Sequence, residues 1–176
     1  MKNIVLVGFM GTGKSAVGRM LARRLKRRFA DLDDRISREA GRSIPEIFAA
    51  EGEPGFRNRE AEAVLWASGL KGAVVSAGGG AILDEANISR LRSSGVLICL
   101  RARPEVIARR ALNTLPVRPL LAGADPLAAI IELMKAREPH YAKADVSFDT
   151  SDHSVSEIAE QIIGWLETQE GGVRGG

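Results

Sequence analysis

The sequence has few of the residues that build disulfides, metal centres and aromatic surfaces. Its 176 residues include one cysteine and two histidines, and aromatic residues make up only 5%. A single cysteine excludes an internal disulfide, and Cys99, inside the apolar run at residues 96–100, is expected to be a buried hydrophobic side chain. Neither His140 nor His153 has a partner at metal-ligand spacing. These absences exclude a disulfide scaffold and a histidine and cysteine zinc site.

Long apolar runs and strong net charge are also missing. No apolar run approaches the length of a membrane span, and a predicted strand begins at residue 3, so we expect neither a signal peptide nor a transmembrane helix. The expected location is the cytoplasm. The formal net charge of +3 suits a small anionic substrate as well as nucleic acid. The densest basic run, residues 23–28, contains no aromatic residue, which favours a solvated helix end over a nucleic-acid surface.

The stretch at residues 8–15, GFMGTGKS, matches the phosphate-binding pattern G-x-x-x-x-G-K-[ST]. An apolar run at residues 3–7 predicts a buried strand before it, and apolar residues at helical spacing follow it. Lys14 is predicted to contact the β- and γ-phosphates of a nucleoside triphosphate, and Ser15 to bind Mg²⁺. The residues predicted to bind ATP here are Gly11, Thr12, Gly13, Lys14, Ser15 and Ala16. The alternative is a glycine-rich turn with a surface lysine.

Apolar runs typical of strands alternate along the chain with amphipathic stretches typical of helices. Predicted strands lie at residues 3–7, 29–30, 73–77, 96–100 and 146–150. This alternation predicts an α/β fold with a central parallel sheet between two helical layers, and ligands at the carboxyl ends of the strands. We expect one domain over residues 1–170 and a flexible tail at 171–176.

Two helical segments carry more detailed expectations. Ser43 and Glu46 form the sequence of a capping box for a short helix ending at Ala50, followed by a turn at residues 51–55. Residues 56–66 are predicted to form the next helix, with Ala61, Val64 and Leu65 on its core face. A later helix begins at Asp125-Pro126 and is predicted to have its apolar residues on one face, namely Leu127, Ile130, Ile131 and Met134.

Carboxylates follow the second predicted strand. Asp31 and Asp33 occupy alternate positions of an extended segment, so they are expected to face the same side of the sheet. One would hold a metal, and the other would accept a hydrogen bond and a proton from an acceptor hydroxyl. The alternative is that Asp33 or Asp34 caps the helix that follows.

Arginines and glycines complete the candidate site. Arg57 is expected in the first turn of a helix, where a positive charge is unfavourable because it opposes the helix macrodipole. Its side chain is therefore predicted to bind an anion outside the helix or, alternatively, to form a salt bridge with Glu60 or Glu53. The triple glycine Gly78, Gly79 and Gly80 follows a strand and allows a close approach to a ligand, although it also suits a flexible turn. Arg118 lies in an aperiodic loop, residues 112–124, that suits a lid over the γ-phosphate. Locally, Arg137 is a dipole-complementing residue near a helix end.

Taken in order, these motifs resemble those of shikimate kinases from about residue 2 to about residue 165. The motifs that carry the resemblance are the phosphate-binding loop, FADLD at 29–33, IF at 47–48, GEPGFR at 52–57, AGGGA at 77–81, RPLL at 118–121, and Arg137 with Tyr141. Taken singly, only the phosphate-binding loop is a specific motif. The other motifs become specific through their order and spacing along the chain.

The resemblance implies a nucleoside monophosphate kinase-like P-loop fold with a substrate-binding region near residues 33–60 and a lid near 112–124. It implies transfer of the γ-phosphate of ATP, with Mg²⁺, to the 3-hydroxyl of shikimate, on the route to chorismate and the aromatic amino acids. The implied roles are as follows: Asp33, Lys14 and Arg118 catalytic; Arg110 and Arg118 at the nucleotide; Asp33, Arg57, Gly78, Gly79, Gly80 and Arg137 at shikimate; Ser15 and Asp31 at Mg²⁺.

Two other functions share the phosphate-binding loop. A related small-molecule kinase, such as one acting on gluconate, has less reason to place Arg57 and Arg137 around a ring acid. A nucleotide-binding regulatory module predicts ATP hydrolysis that no small acceptor stimulates. We expect a monomer that binds shikimate and ATP and neither nucleic acid nor membrane.

Overall fold

A computed structural model describes residues 1–112 and 125–171 of the chain. Its centre is a sheet of five strands, β1 (Asn3–Gly8), β2 (Phe29–Asp31), β3 (Val74–Ser76), β4 (Gly95–Arg101) and β5 (Val146–Asp149). The strands are parallel and lie side by side in the order β2-β3-β1-β4-β5. Their carboxyl ends therefore share one edge of the sheet, where ligands bind in open α/β folds.

Helices connect the strands and cover both faces of the sheet. They are α1 (Lys14–Arg24), α2 (Leu32–Ala40), α3 (Ile44–Ser68), α4 (Glu85–Ser94), α5 (Pro104–Leu112), α6 (Pro126–Tyr141) and α7 (Val155–Gly171). A short 3₁₀ helix, Ala81–Leu83, precedes α4.

The residues of β1 alternate between two apolar cores. Ile4 and Leu6 pack with α1 and α7 on one face of the sheet, whereas Val5 and Val7 pack with α2 to α6 on the other. All of β1 is buried, as its continuous apolar sequence predicts for a parallel strand covered on both faces. The predicted three-layer α/β/α architecture is confirmed.

Side-chain caps mark the starts of several helices, and those at Ser43 and Asp125 are where the sequence predicts them. Ser43 and Glu46 form a capping box at the start of α3, and Asp84 and Asp125 accept hydrogen bonds from the first turns of α4 and α6. The Ser154 hydroxyl accepts from the backbone N–H of Glu157, at 3.2 Å. These caps satisfy N–H groups that a helix leaves unpaired at its start.

The turn predicted at residues 51–55 is confined to one residue. Gly52 has φ 69° and ψ −177°, and the helix resumes directly after it, because Pro54 lacks an N–H and suits the first turn of a new helical segment. Two contacts span the break: the rings of Phe48 and Phe56 stack with centroids 4.6 Å apart, and Glu51 pairs with Arg59. Arg57 therefore lies beyond the first turn of the resumed helix.

Three predicted core positions are wrong. Leu65 is 59% exposed, and Leu127 and Ile131 are also exposed. In each helix the inward face includes a charged residue, Glu60 in α3 and Arg137 in α6. A prediction from hydrophobic periodicity assumes that charged residues point to solvent. The predicted buried face of each helix is therefore rotated by one or more positions from the observed one.

The predicted lid, residues 112–124, lies outside the described residues except for its first position, and so does Arg118. The predicted tail begins at the last residue of α7, and residues 172–176 likewise lie outside the described part. In the described ranges, no helix has the length and hydropathy needed to cross a bilayer.

Candidate active site

The phosphate-binding loop connects β1 to α1, as its sequence predicts. The N-cap of α1 is Gly13, and no side chain caps this helix, so its first N–H groups are left for an anion. Nζ of Lys14 donates to the carbonyl oxygens of Gly8 and Phe9, both at 2.9 Å, which holds the ammonium group against the loop. This loop can therefore bind phosphate through backbone N–H groups and one positive charge.

Ser15 and Asp31 meet beside this loop. The Ser15 hydroxyl donates to Oδ2 of Asp31 at 2.5 Å and lies 3.5 Å from the Ser76 hydroxyl at the end of β3. A hydroxyl and a carboxylate are the hard oxygen ligands that Mg²⁺ prefers, and such sites need only one or two protein ligands besides phosphate and water. The donor set fits Mg²⁺, which when bound neutralises phosphate charge.

Asp31 also accounts for the start of α2. Its Oδ1 accepts hydrogen bonds from the backbone N–H groups of Asp33 and Asp34, at 3.1 and 3.5 Å. The cap is thus Asp31, and the alternative that Asp33 or Asp34 caps this helix is wrong. The extended geometry expected for residues 31–33 is also wrong, because β2 ends at Asp31 and Asp33 lies in the first turn of α2.

Asp33 and Glu60 flank the glycine loop, residues 78–80, from two different helices. A methyl group built on Gly78 would lie 2.8 Å from Oδ1 of Asp33 and 2.8 Å from Oε1 of Glu60. Glu60 is 1% exposed, and within the described part of the chain its Oε1 has no hydrogen-bond partner. Two carboxylates therefore reach the same point, where only a residue without a side chain fits.

Arg57 pairs with two carboxylates and contacts the next glycine. Its Nη1 lies 2.7 Å from Oε2 of Glu60, and its Nη2 lies 3.0 Å from Oε1 of Glu53. Both salt bridges considered from the sequence are therefore present. A methyl group on Gly80 would lie only 2.1 Å from Nη1 of Arg57, so the guanidinium rests directly against the glycine backbone.

Arg137 approaches the same loop from α6. It is 7% exposed, its Nη1 lies 3.4 Å from the Gly79 carbonyl oxygen, and its guanidinium lies 5.5 Å from the centre of the Phe9 ring. No carboxylate among residues 1–112 and 125–171 lies within ion-pair distance of it. Because a buried charge without a counter-charge in direct contact is costly, this arginine suits an anionic ligand.

These side chains border one cavity of about 780 Å³ between α2, α3, α6 and the glycine loop. Its polar wall combines Asp33, Glu60, Arg57 and Arg137, and its apolar wall includes Phe48 and Phe56. The volume suits a small molecule. Among the residues that line the cavity are Met10, Asp33, Ile44, Pro45, Phe48, Phe56, Arg57, Glu60, Gly79, Gly80 and Arg137.

Arg110 lies on the other side of the phosphate-binding loop. Its guanidinium donates to the carbonyl oxygens of Gly11 and Thr150, at 3.1 and 2.7 Å. The Thr150 hydroxyl in turn donates to the carbonyl of Thr12 at 3.0 Å. Arg110 and Thr150 thus tie α5 and the end of β5 to the loop, on the side away from the cavity.

Burial raises the pKa of Glu60, although the adjacent Arg57 opposes this shift. A carboxyl group whose pKa is higher in the folded than in the unfolded state binds protons more readily when folded, so its contribution to stability falls as pH rises through the folded pKa. In Glu60→Gln that loss is absent. We expect the melting temperature of the variant, relative to wild type, to increase as pH rises from 4 to 8. Calorimetry checks this, and a difference that is constant with pH would contradict it.

Three residues at this site were not predicted from the sequence. Glu60 appeared only as a partner for Arg57, Tyr141 only as part of a motif, and Thr150 had no role. The hydroxyl of Tyr141 donates to the Gly79 carbonyl, and Thr150 is 3% exposed. Each contact joins residues far apart in the chain, and the only sequence signal was a charged residue at helical spacing with buried ones.

A phosphate-binding loop, a Mg²⁺-compatible pair of oxygen ligands and a separate cavity with two arginines in its wall share one edge of the sheet. They define a P-loop kinase that acts on a small anionic acceptor.

Comparison with known proteins agrees with this class. The family model for shikimate kinase matches residues 10–167. The chain is 50% identical over 163 residues to a shikimate kinase from Caldanaerobacter subterraneus subsp. tengcongensis, covering 93% of this chain and 95% of that protein. It is 48% identical to a shikimate kinase from Symbiobacterium thermophilum, covering 98% of this chain and 99% of that protein. The chain belongs to the shikimate kinase family.

Solved structures give the same result. The structure of shikimate kinase from Acinetobacter baumannii in complex with shikimate superposes with a TM-score of 0.92 at 36% identity, covering 96% of this chain and 94% of that one. A gluconokinase from Sinorhizobium meliloti shares the fold, with a TM-score of 0.66 at 18% identity, covering 98% of this chain and 95% of that one. The predictions of family, fold class, kinase activity and the use of ATP with Mg²⁺ are confirmed.

Proposed function

We propose that this chain transfers the γ-phosphate of ATP to the 3-hydroxyl of shikimate, in the cavity bordered by Asp33, Arg57 and Arg137. The observation that carries the choice of acceptor is the buried Arg137, which has no ion-pair partner in the described ranges and lies against the same glycine loop as Arg57. Two arginines at one cavity suit a carboxylate, and the carboxylate pair at Gly78 suits ring hydroxyls.

The proposed nucleotide site is the phosphate-binding loop. Backbone N–H groups of residues 11–16 and Nζ of Lys14 bind the phosphates, while Ser15 and Asp31 hold Mg²⁺. Arg110 acts beside the nucleotide through its bonds to Gly11 and Thr150. Arg118, whose position lies outside the described residues, is proposed to contribute positive charge at the γ-phosphate from a lid at residues 112–124.

Asp33 is the proposed base. It accepts the proton of the 3-hydroxyl as that oxygen bonds to the γ-phosphorus, and the bond from phosphorus to the bridging oxygen of ADP breaks. Arg57, Arg137 and the backbone of Gly78, Gly79 and Gly80 hold the acid in line for this attack. Residues 33–60 then form the substrate-binding region of a single domain, residues 1–170, with a flexible tail at 171–176.

We further propose that the chain acts as a monomer in the cytoplasm and binds neither nucleic acid nor membrane. One domain contains the proposed sites for both substrates, so catalysis needs no second subunit. The basic run at residues 23–28 is engaged locally, since Arg24 bonds to Ser156 and Glu160 of α7.

The test is ADP release with ATP and Mg²⁺, measured with shikimate and with gluconate as the control acceptor. We expect a rate that rises saturably with shikimate and does not respond to gluconate. A rate indifferent to both acceptors would contradict the proposal and favour a nucleotide-hydrolysing regulatory module, whereas stimulation by gluconate would favour a sugar-acid kinase.

A further inference from the structure

Tyr141, the only tyrosine in the chain, ends α6 beneath the glycine loop. It is 5% exposed, and its hydroxyl donates to the carbonyl oxygen of Gly79 at 2.7 Å. Burial raises the pKa of Tyr141 to about 12. The hydroxyl therefore remains protonated, and remains a hydrogen-bond donor, throughout the neutral range.

The same carbonyl is within reach of Arg137, one helical turn earlier in α6. Nη1 of Arg137 lies 3.4 Å from this oxygen, near the upper limit for a hydrogen bond, whereas the Tyr141 bond has the ordinary length for a hydroxyl donor. Tyr141 thus satisfies the Gly79 carbonyl. Arg137 makes only the longer contact with this oxygen, so most of its guanidinium donors are left for an anion.

The hydrogen bond also sets the plane of the peptide between Gly79 and Gly80. In a trans peptide the carbonyl and the N–H point in opposite directions, so a carbonyl held by Tyr141 directs the Gly80 N–H the other way. This N–H meets no protein acceptor among the residues that the structure describes. Both glycines border the cavity, and neither has a side chain that would otherwise restrict this plane.

We propose that Tyr141 is a positioning residue for the acceptor substrate. Its hydroxyl holds the Gly79 carbonyl, and this keeps Arg137, which contacts the same oxygen, in place for the carboxylate of the acid. This inference rests on the proposed function, because it concerns the same cavity.

The first test is Tyr141→Phe, which removes only the hydroxyl. We expect the KM for shikimate to rise about fivefold to tenfold, as for the loss of one buried hydrogen bond. Without the Tyr141 hydroxyl, Arg137 would donate to the Gly79 carbonyl oxygen and would be less available to the substrate. The kcat and the KM for ATP should change less than twofold. Ser94→Ala is the matched control, because the Ser94 hydroxyl also donates to a carbonyl, that of Leu91 at 2.9 Å, but lies in α4 away from the cavity. It should leave all three constants unchanged.

A second measurement needs no mutation. Growth with 3-fluorotyrosine labels this protein at position 141 alone, so its ¹⁹F spectrum contains one protein signal. Shikimate should shift this signal saturably, and ATP without shikimate should shift it much less. Such a selective shift would show that Tyr141 senses the acid, and the KM of Tyr141→Phe then measures whether its hydroxyl sets the affinity.

An unchanged shikimate KM in Tyr141→Phe would overturn the inference, as would equal increases in both KM values. A fluorine signal that does not shift with shikimate would also overturn the inference. This measurement uses the unmutated sequence, so it remains available if Tyr141→Phe fails to fold. Failure of the proposed function itself is distinguishable, since wild-type ADP release would then not respond to shikimate.

Discussion

Replacing Asp33 with asparagine is expected to lower kcat by a factor of about 10² to 10⁴, the usual contribution of a positioned general base. Asparagine keeps the size of the side chain and can hydrogen-bond to a hydroxyl, but it cannot accept the proton. The dissociation constant for ATP should be unchanged, because Asp33 borders the cavity proposed for the acid, whereas the groups proposed to bind the phosphates are Lys14 and the N-terminus of α1. Steady-state ADP release and calorimetric ATP binding measure the two quantities.

Asp34→Asn is the matched control for Asp33→Asn. It makes the same change of charge one residue further along α2, where the carboxylate is at the cavity's edge but is largely exposed and pairs with Arg19 at 3.2 Å. We expect its kcat to stay within threefold of wild type. If Asp33→Asn turned over like wild type, Asp33 would not be the base, and if both variants lost activity equally, the effect would be one of local charge.

Replacing Arg57 with alanine is expected to raise the KM for shikimate about 100-fold, as for the loss of charged hydrogen bonds to a carboxylate. The variant should also lose stability, because Glu60, whose side chain is 2% exposed, would keep a buried charge without its nearest partner. A loss of about 2 kcal/mol in the free energy of unfolding is reasonable, below the range for fully buried pairs because 27% of the Arg57 side chain is exposed.

Two further variants separate the loss of binding from the loss of stability. In Arg57→Ala with Glu60→Gln, the unpaired charge is gone, so stability should recover while the shikimate KM stays high. Arg59→Ala removes an arginine that is paired just as closely, to both oxygens of Glu51 at 2.8 Å, but that does not line the cavity. Its KM should change less than threefold. A rise in KM as large as that of Arg57→Ala would mean that general helix electrostatics, and not contact with the acid, set the affinity.

Features that depend on neighbouring residues were predictable from the sequence. The phosphate-binding loop and the helix caps at Ser43 and Asp125 follow from short patterns whose hydrogen bonds close within a few residues. The strands were predictable from their apolar runs, although they pair residues as far apart as Ile4 and Val74. The start of α2 is the exception, because Asp31, Asp33 and Asp34 are all plausible caps in the sequence. Only the backbone geometry, with Asp31 extended and the next residues helical, decides between them.

The cavity proposed to bind the acid was less predictable, because two of its residues do not follow the hydrophobic periodicity that identifies the buried face of a helix. Glu60 and Arg137 are charged yet lie on the inward faces of α3 and α6, at positions where periodicity expects apolar side chains. They can be buried there because they face a polar cavity, and Glu60 also has a partner in Arg57. Leu65 and Ile131 were placed inward in consequence, and both are exposed.

By itself the sequence determined the fold class, the nucleotide loop and the family, since these follow from local hydrogen bonds, from apolar periodicity and from an ordered set of motifs. The tertiary structure alone decided which side chains meet at the glycine loop. Tyr141 reaches Gly79 across 62 positions and Thr150 reaches Thr12 across 138, through the packing of α6 and β5 on the sheet. No local pattern encodes such contacts, because they depend on how the helices and strands pack together in space.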